Sequence, residues 1–149
     1  MQVKQGNIWS VLNQEAYPLV CVTTNNVVTG EGLNMGGGIA LQAAQRFPDL
    51  RKKAASIISD GAEYNFVIIP HRGFHLGLLQ TKYHYKYKSP IYLVERSLKN
   101  LQDHLTHPLY YGLYTSVNTV WPWCGLGGLS KEAVRPFLEG MDITVWEMI

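Results

Sequence analysis

The sequence predicts an α/β domain: a mixed central sheet with helices on both faces. Three observations predict it. Apolar runs of strand length, such as Leu19 to Val22 (LVCV) and Asn65 to Pro70 (NFVIIP), alternate along the chain with longer segments whose apolar residues recur at helical spacing. Twice a strand-like run passes through a glycine-rich loop directly into a helix former, which is how a parallel layer sheet is wound. The 149 residues, 46% of them hydrophobic, suffice for one domain over residues 1–149 with a proper core.

Taken in order, residues 1–9 read as a first strand and Tyr17 to Thr24 as a second, joined by a polar connection with room for a helical turn. A glycine loop follows, then a helix over Ile39 to Phe47, rich in Ala, Leu and Gln. Pro48 stops that helix and suits the start of another, in which Leu50, Ala54, Ile57 and Ile58 share a face up to Asp60, with Gly61 as its C-cap. Asn65 to Pro70 and Gly73 to Gln80 form two strands joined tightly at His71–Arg72. After Pro90, the spacing of Ile91, Val94, Leu98, Leu101 and Leu105 predicts an amphipathic helix. Tyr110 to Val117 alternates as a strand, Ser130 to Leu138 reads as a helix ended by Gly140, and Ile143 to Trp146 as the last strand.

Composition narrows the function classes. A net charge of +2 and a pI near 8.5 are too mild to imply nucleic-acid binding, so any basic footprint is local. Two cysteines, Cys21 and Cys124, make no disulfide framework, and no Cys/His cluster has metal-ligand spacing, so neither a metal nor another cofactor is expected. Without a signal-peptide pattern or a membrane-spanning apolar run, the expectation is a soluble cytoplasmic monomer.

The stretch from Thr23 to Phe47 organises the rest of the chain. Gly36, Gly37 and Gly38 immediately precede a helix, so backbone N–H groups and the positive helix end are free to meet an anion such as phosphate. Trp121 to Gly128 (WPWCGLGG) repeats the arrangement ahead of the last helix. In an open α/β sheet both loops belong at the carboxyl ends of strands, where two of them clasp a diphosphate. Glycine alone is equally compatible with two ordinary strand-to-helix turns.

These residues carry a family resemblance. The chain resembles macro domains over nearly its whole length: Gly6-Asn7-Ile8 stands where they usually have Gly-Asp-Ile, TTNN…MGGGIALQAAQRFP resembles their first ligand loop and helix, and WPWCGLGGLSKEAVRPFLE their second phosphate loop and final helix. MGGGIALQ, Thr81-Lys82 and WCGLGGL together are similar to the branch containing DNA ADP-ribosyl glycohydrolase antitoxins and the terminal ADP-ribose protein glycohydrolase. The resemblance implies a three-layer α/β/α sandwich with an ADP-ribose cleft. Gly36, Gly37, Gly38 and Gly125, Leu126, Gly127 and Gly128 would hold the diphosphate, with Met35, Ile39, Cys124 and Leu129 completing the two loops. Asn25 or Asn26 would reach the distal ribose, Asn7 would meet the adenine, an Asn replacing the usual Asp as uncharged acceptor, and Thr24 and Ile8 would line the ligand beside them. Asn7 is also readable as a turn residue at a strand end.

Lys82 is catalytic by the same resemblance, a lysine following a threonine at the end of the fourth strand. A desolvated amine can attack an electrophilic sugar carbon, and a protonated one can steady a leaving group. A glycine near position 127, where the protein glycohydrolase has an aspartate, favours a nucleic-acid adduct over a protein adduct. Two other readings stand beside hydrolysis: a non-catalytic ADP-ribose reader, and an ADP-ribose 1″-phosphate phosphatase recruiting His75 or His84. The Lys82–Lys88 segment alternates lysine or histidine with Tyr83, Tyr85 and Tyr87; if extended, it would offer stacking rings and basic groups to a single strand, or bury Tyr and solvate Lys as an edge. Trp121 and Trp123 are equally divided between core and cleft wall, and the Val27–Asn34 loop, longer than the compact version of the antitoxins, is where substrate choice is expected to reside.

Overall fold

The computed structural model describes residues 1–122 and 128–148 of the chain. Among these, six strands form one mixed sheet: β1 (Gln2–Gln5), β2 (Pro18–Thr24), β5 (Phe66–His71), β6 (Phe74–Gln80), β7 (Ser116–Val120) and β8 (Thr144–Glu147). A two-stranded hairpin, β3 (Val28–Thr29) and β4 (Gly32–Leu33), stands apart from it. The helices are α1 (Val11–Gln14), α2 (Gly38–Arg46), α3 (Leu50–Ala55), α4 (Ile91–Thr106) and α5 (Lys131–Glu139). The large sheet has the order β1-β8-β7-β2-β6-β5 and is parallel except at the β5–β6 hairpin.

Side-chain alternation along β2 explains the layers. Val20 and Val22 point into one core with Ile39, Ala40 and Ala43 of α2 and Leu50 and Ala54 of α3. Leu19 and Cys21 point into the other, against Val94, Leu98 and Leu101 of α4 and Val134 and Leu138 of α5. The sheet is thus covered on both faces, as an α/β/α sandwich requires. Cys21 is a buried thiol, and burial pushes its pKa up to about 12, so it packs as a small hydrophobe. No helix among the described residues is long and apolar enough to cross a membrane.

Three elements differ from the sequence expectation. The first strand stops at Gln5, because Asn7 caps a 3-10 turn at Ile8–Ser10 by accepting the Trp9 N–H, and Ile8 and Trp9 bury in the core. The seventh strand begins at Ser116 instead of Tyr110: His107 O accepts the Tyr110 and Tyr111 N–H groups, and Gly112 sits at φ +75°. The third helix ends at Ala55, and Gly61, expected as its cap, instead donates its N–H to Asn26 O.

Candidate functional site

Three neighbouring parallel strands deliver the site. β2 lies in the middle and leads to the first glycine loop; β7 lies on one side and leads toward the second; β6 lies on the other and ends one residue before Thr81-Lys82. With parallel strands about 4.8 Å apart, the ends of β6 and β7 stand roughly 10 Å apart across β2. The strand ends open into a cleft of about 850 Å³.

The cleft floor is the start of α2. Gly36, Gly37 and Gly38 are exposed there, and Met35, Ile39 and Ala40 complete the wall from beneath as buried residues. Gly37 caps α2 in an extended conformation with no side-chain hydrogen bond, leaving the first-turn N–H groups to the cleft. Such a helix end favours an anion.

At the end of β2, Thr24 and Asn25 line the cleft. Asn25 Oδ1 accepts the Val27 N–H at 3.0 Å, and its Nδ2 donates to Asn34 Oδ1 at 3.4 Å. The Thr24 hydroxyl is hydrogen-bonded to the Tyr64 hydroxyl. Asn26 faces away from the lining: it is 2% exposed and donates its amide to Ala62 O at 3.1 Å.

Lys82 stands in the cleft wall next to this strand end, half-buried beside Thr81 and Tyr85. Loss of water around its amine lowers the Lys82 pKa below the usual lysine value. Its main chain is held from two directions: its N–H donates to Thr24 O at 3.3 Å, and its carbonyl accepts Gln80 Nε2 at 3.2 Å. The following segment is bent rather than extended, so its tyrosines do not share one face. Tyr83 is half-buried against Glu63, while Tyr85 and Tyr87 are exposed and both in ring contact with His84.

The far end of the cleft lies beyond β7 and β8. Val120, Trp121, Trp146, Glu147, Met148 and Lys131 form it, with Lys131 Nζ 2.9 Å from Glu147 Oε2 and stacked over the Trp121 ring. The Lys131 hydrogen bond holds the Glu147 carboxyl below its usual range. Asn7 and Ile8 stand beside this end without lining it. The Asn7 amide oxygen serves the Trp9 N–H at 3.0 Å, and the Ile8 N–H meets Met148 Sδ at 3.3 Å. Gly128, at φ +78°, and Leu129 are the described part of the second loop; the stem of Lys88 lies against Gly128. Trp123, Cys124, Gly125, Leu126 and Gly127 lie outside the described residues.

Sequence reasoning missed Tyr64, Gln80, Trp146 and Glu147. The last two had a signal, because they end a parallel strand where ligands gather. Gln80 had only its place as the polar last residue of an apolar run.

No family model and no curated protein matches the sequence. Solved structures do. The chain is similar to the macrodomain of Thermus aquaticus DarG, at 22% identity over 97% of this chain and 95% of that one, with a TM-score of 0.72. It is similar to the macrodomain of Mycobacterium tuberculosis DarG at 20% identity, covering 99% and 97% respectively, with a TM-score of 0.73. Thermosipho africanus DarTG in complex with ADP-ribose matches at 19% identity and a TM-score of 0.74, over 99% of this chain and 41% of that one. With the strand order, the two covered sheet faces and the cleft at the strand ends, these likenesses give the chain the macrodomain fold.

Proposed function

We propose that the protein is a single macrodomain of the DNA ADP-ribosyl glycohydrolase antitoxin branch, binding ADP-ribose in this cleft and hydrolysing an ADP-ribosyl adduct. The observation that carries the reading is Lys82: a partly desolvated amine in the cleft wall, one strand away from a glycine-built anion floor. The similar DarTG structure was solved in complex with ADP-ribose, which supports the choice of ligand. In this reading Gly36, Gly37 and Gly38 hold the diphosphate, together with Gly125–Gly128 of the second loop. Thr24 and Asn25 meet the distal ribose, and Asn26 supports them from behind. Neutral Lys82 forms a bond to C1″ as the bond from C1″ to the acceptor breaks and its electrons leave on the acceptor. Water then displaces the amine, its hydroxyl going to C1″ and its proton, net, to the released acceptor.

A nucleic-acid acceptor is favoured by the segment after Lys82. Tyr85 and Tyr87 are exposed beside the cleft with Lys86 and Lys88, rings for unpaired bases and charges for phosphates. Stacking of this kind contributes about 1–3 kcal/mol per base.

The test offers ADP-ribosylated single-stranded DNA, ADP-ribosylated protein and ADP-ribose 1″-phosphate in parallel to wild type and Lys82→Ala. The expected result is release of ADP-ribose from the DNA by wild type and a loss of at least a hundredfold in Lys82→Ala. No release from either polymer sinks the glycohydrolase reading. Inorganic phosphate from the third substrate would replace it with a phosphatase, and no ADP-ribose binding at all would remove the ligand.

A further inference from the structure

A closed ring of hydrogen bonds lies behind the cleft wall. Gln80, the last residue of β6, is fully buried. Its Oε1 accepts two consecutive main-chain donors, Tyr64 N–H at 2.9 Å and Asn65 N–H at 3.1 Å, while its Nε2 donates to Lys82 O at 3.2 Å. Lys82 N–H donates to Thr24 O, and the Thr24 hydroxyl returns to the Tyr64 hydroxyl, which also donates to Asn25 O at 2.5 Å. The ring therefore runs from Gln80 through Lys82, Thr24 and Tyr64 back to Gln80. Its members join the wall bearing Lys82 to the strand end bearing Thr24 and Asn25.

Two features show what the ring requires. Two successive N–H groups reach one oxygen, and the second belongs to Asn65, which adopts φ +58°, the one positive φ at a non-glycine residue among those described. Asparagine tolerates this conformation better than most residues, at some cost in backbone energy. An outer set of contacts then grips the neighbour of Lys82. Asn65 Nδ2 donates to Glu63 Oε2 at 3.1 Å, and Glu63 Oε1 accepts both the Tyr83 hydroxyl and Arg96 Nη2, the latter at 2.8 Å. A buried amide with its polar atoms so engaged is costly to disturb and allows little play.

We infer that Gln80 and Tyr64 are positioning residues, a buried brace that holds the Lys82 amine at a set distance from the sugar-binding end of β2. The inference rests on the reading of Lys82 as the reacting group. Reaction needs the amine within near-attack distance of C1″, and displacement of about 1 Å costs on the order of a hundredfold in rate. Diphosphate binding draws on the glycine floor, which the brace does not touch; the brace reaches the ribose end only through Thr24 and Asn25. A break in the brace therefore lowers turnover far more than affinity.

Tyr64→Phe removes one hydroxyl and keeps the ring; Gln80→Met removes the whole amide and is the variant more prone to unfold. Single-turnover release from ADP-ribosylated single-stranded DNA is measured beside ADP-ribose affinity by calorimetry and amide hydrogen exchange by NMR. For Tyr64→Phe the expected result is kcat reduced at least tenfold, with KM and ADP-ribose Kd within threefold of wild type. The Lys82 amide should exchange at least threefold faster while the Leu78 amide in mid-β6 is unchanged. A folded Tyr64→Phe with wild-type kcat, or with affinity lost in proportion to rate, overturns the brace. Should wild type itself release nothing, the glycohydrolase reading fails separately, and unchanged Lys82 exchange in both variants still overturns the brace.

Discussion

At the scale of single residues, the protonation of Lys82 decides which chemistry is open to it. Burial lowers its pKa, so at a given pH more of it is neutral than of a solvated lysine. If the neutral amine attacks C1″, the single-turnover rate rises with pH through a midpoint below the ordinary lysine value and then levels off. A rate that falls across the same range would give Lys82 the opposite role, a protonated group steadying the leaving acceptor. Lys82→Arg keeps charge without an available lone pair, and the expected activity is that of Lys82→Ala. Asn7 shows how an assignment by position depends on contacts. The resemblance assigns it to adenine, yet its amide oxygen serves a local turn.

At the scale of elements, the Val27–Asn34 loop acquires a structure that its sequence did not announce. It folds as the β3–β4 hairpin, with Val28 paired to Leu33, and docks on α3 through Arg51 Nε, 2.8 Å from Leu33 O. Gly32 makes the approach possible: at φ +113°, an added Cβ would lie 2.5 Å from Arg51 O. Main chain cannot give way as a flexible side chain does. Gly32→Ala is expected to destabilise the fold by about 2 kcal/mol or more, read as a lower urea midpoint. The hairpin delivers Asn34 to Asn25 at the cleft edge, so the same variant should also weaken ADP-ribose binding.

At the scale of the whole molecule, a second polar cluster joins β6, α4 and the loop before β7 on the face away from α2. The Tyr114 hydroxyl lies 2.7 Å from His75 Nδ1 and 2.8 Å from His104 Nε2, and Tyr17 meets His75 Nε2 at 3.2 Å. Burial foremost, then the neighbouring histidines His75 and His107, lowers His104 to about 4, and burial lowers His75 as well, with His71 adding to the effect. The folded state thus keeps both rings neutral where the unfolded chain takes up protons. Stability from this source is complete above about pH 6.5, is lost as pH falls toward 4, and then levels off. Urea unfolding across that window should show the decline, and Tyr114→Phe should change its slope. A pH-independent midpoint would contradict it.

The sequence by itself determined the α/β class, the first glycine loop, most helix and strand positions and the placing of Lys82 after a strand. These are legible because periodicity, glycine and proline act over a few residues. It overran the strands at Trp9 and Tyr110, where a capped turn at Asn7 and the left-handed Gly112 interrupt an apolar pattern. Only the tertiary structure decided that β7, β2 and β6 are neighbours, which brings three strand ends to one cleft. It alone joined Tyr64 to Asn25 and Gln80 to Lys82, turned Asn26 away from the lining, and brought Ile8 to Met148, 140 residues along the chain. Strand order and buried hydrogen bonds depend on partners distant in sequence, whose meeting no local pattern records.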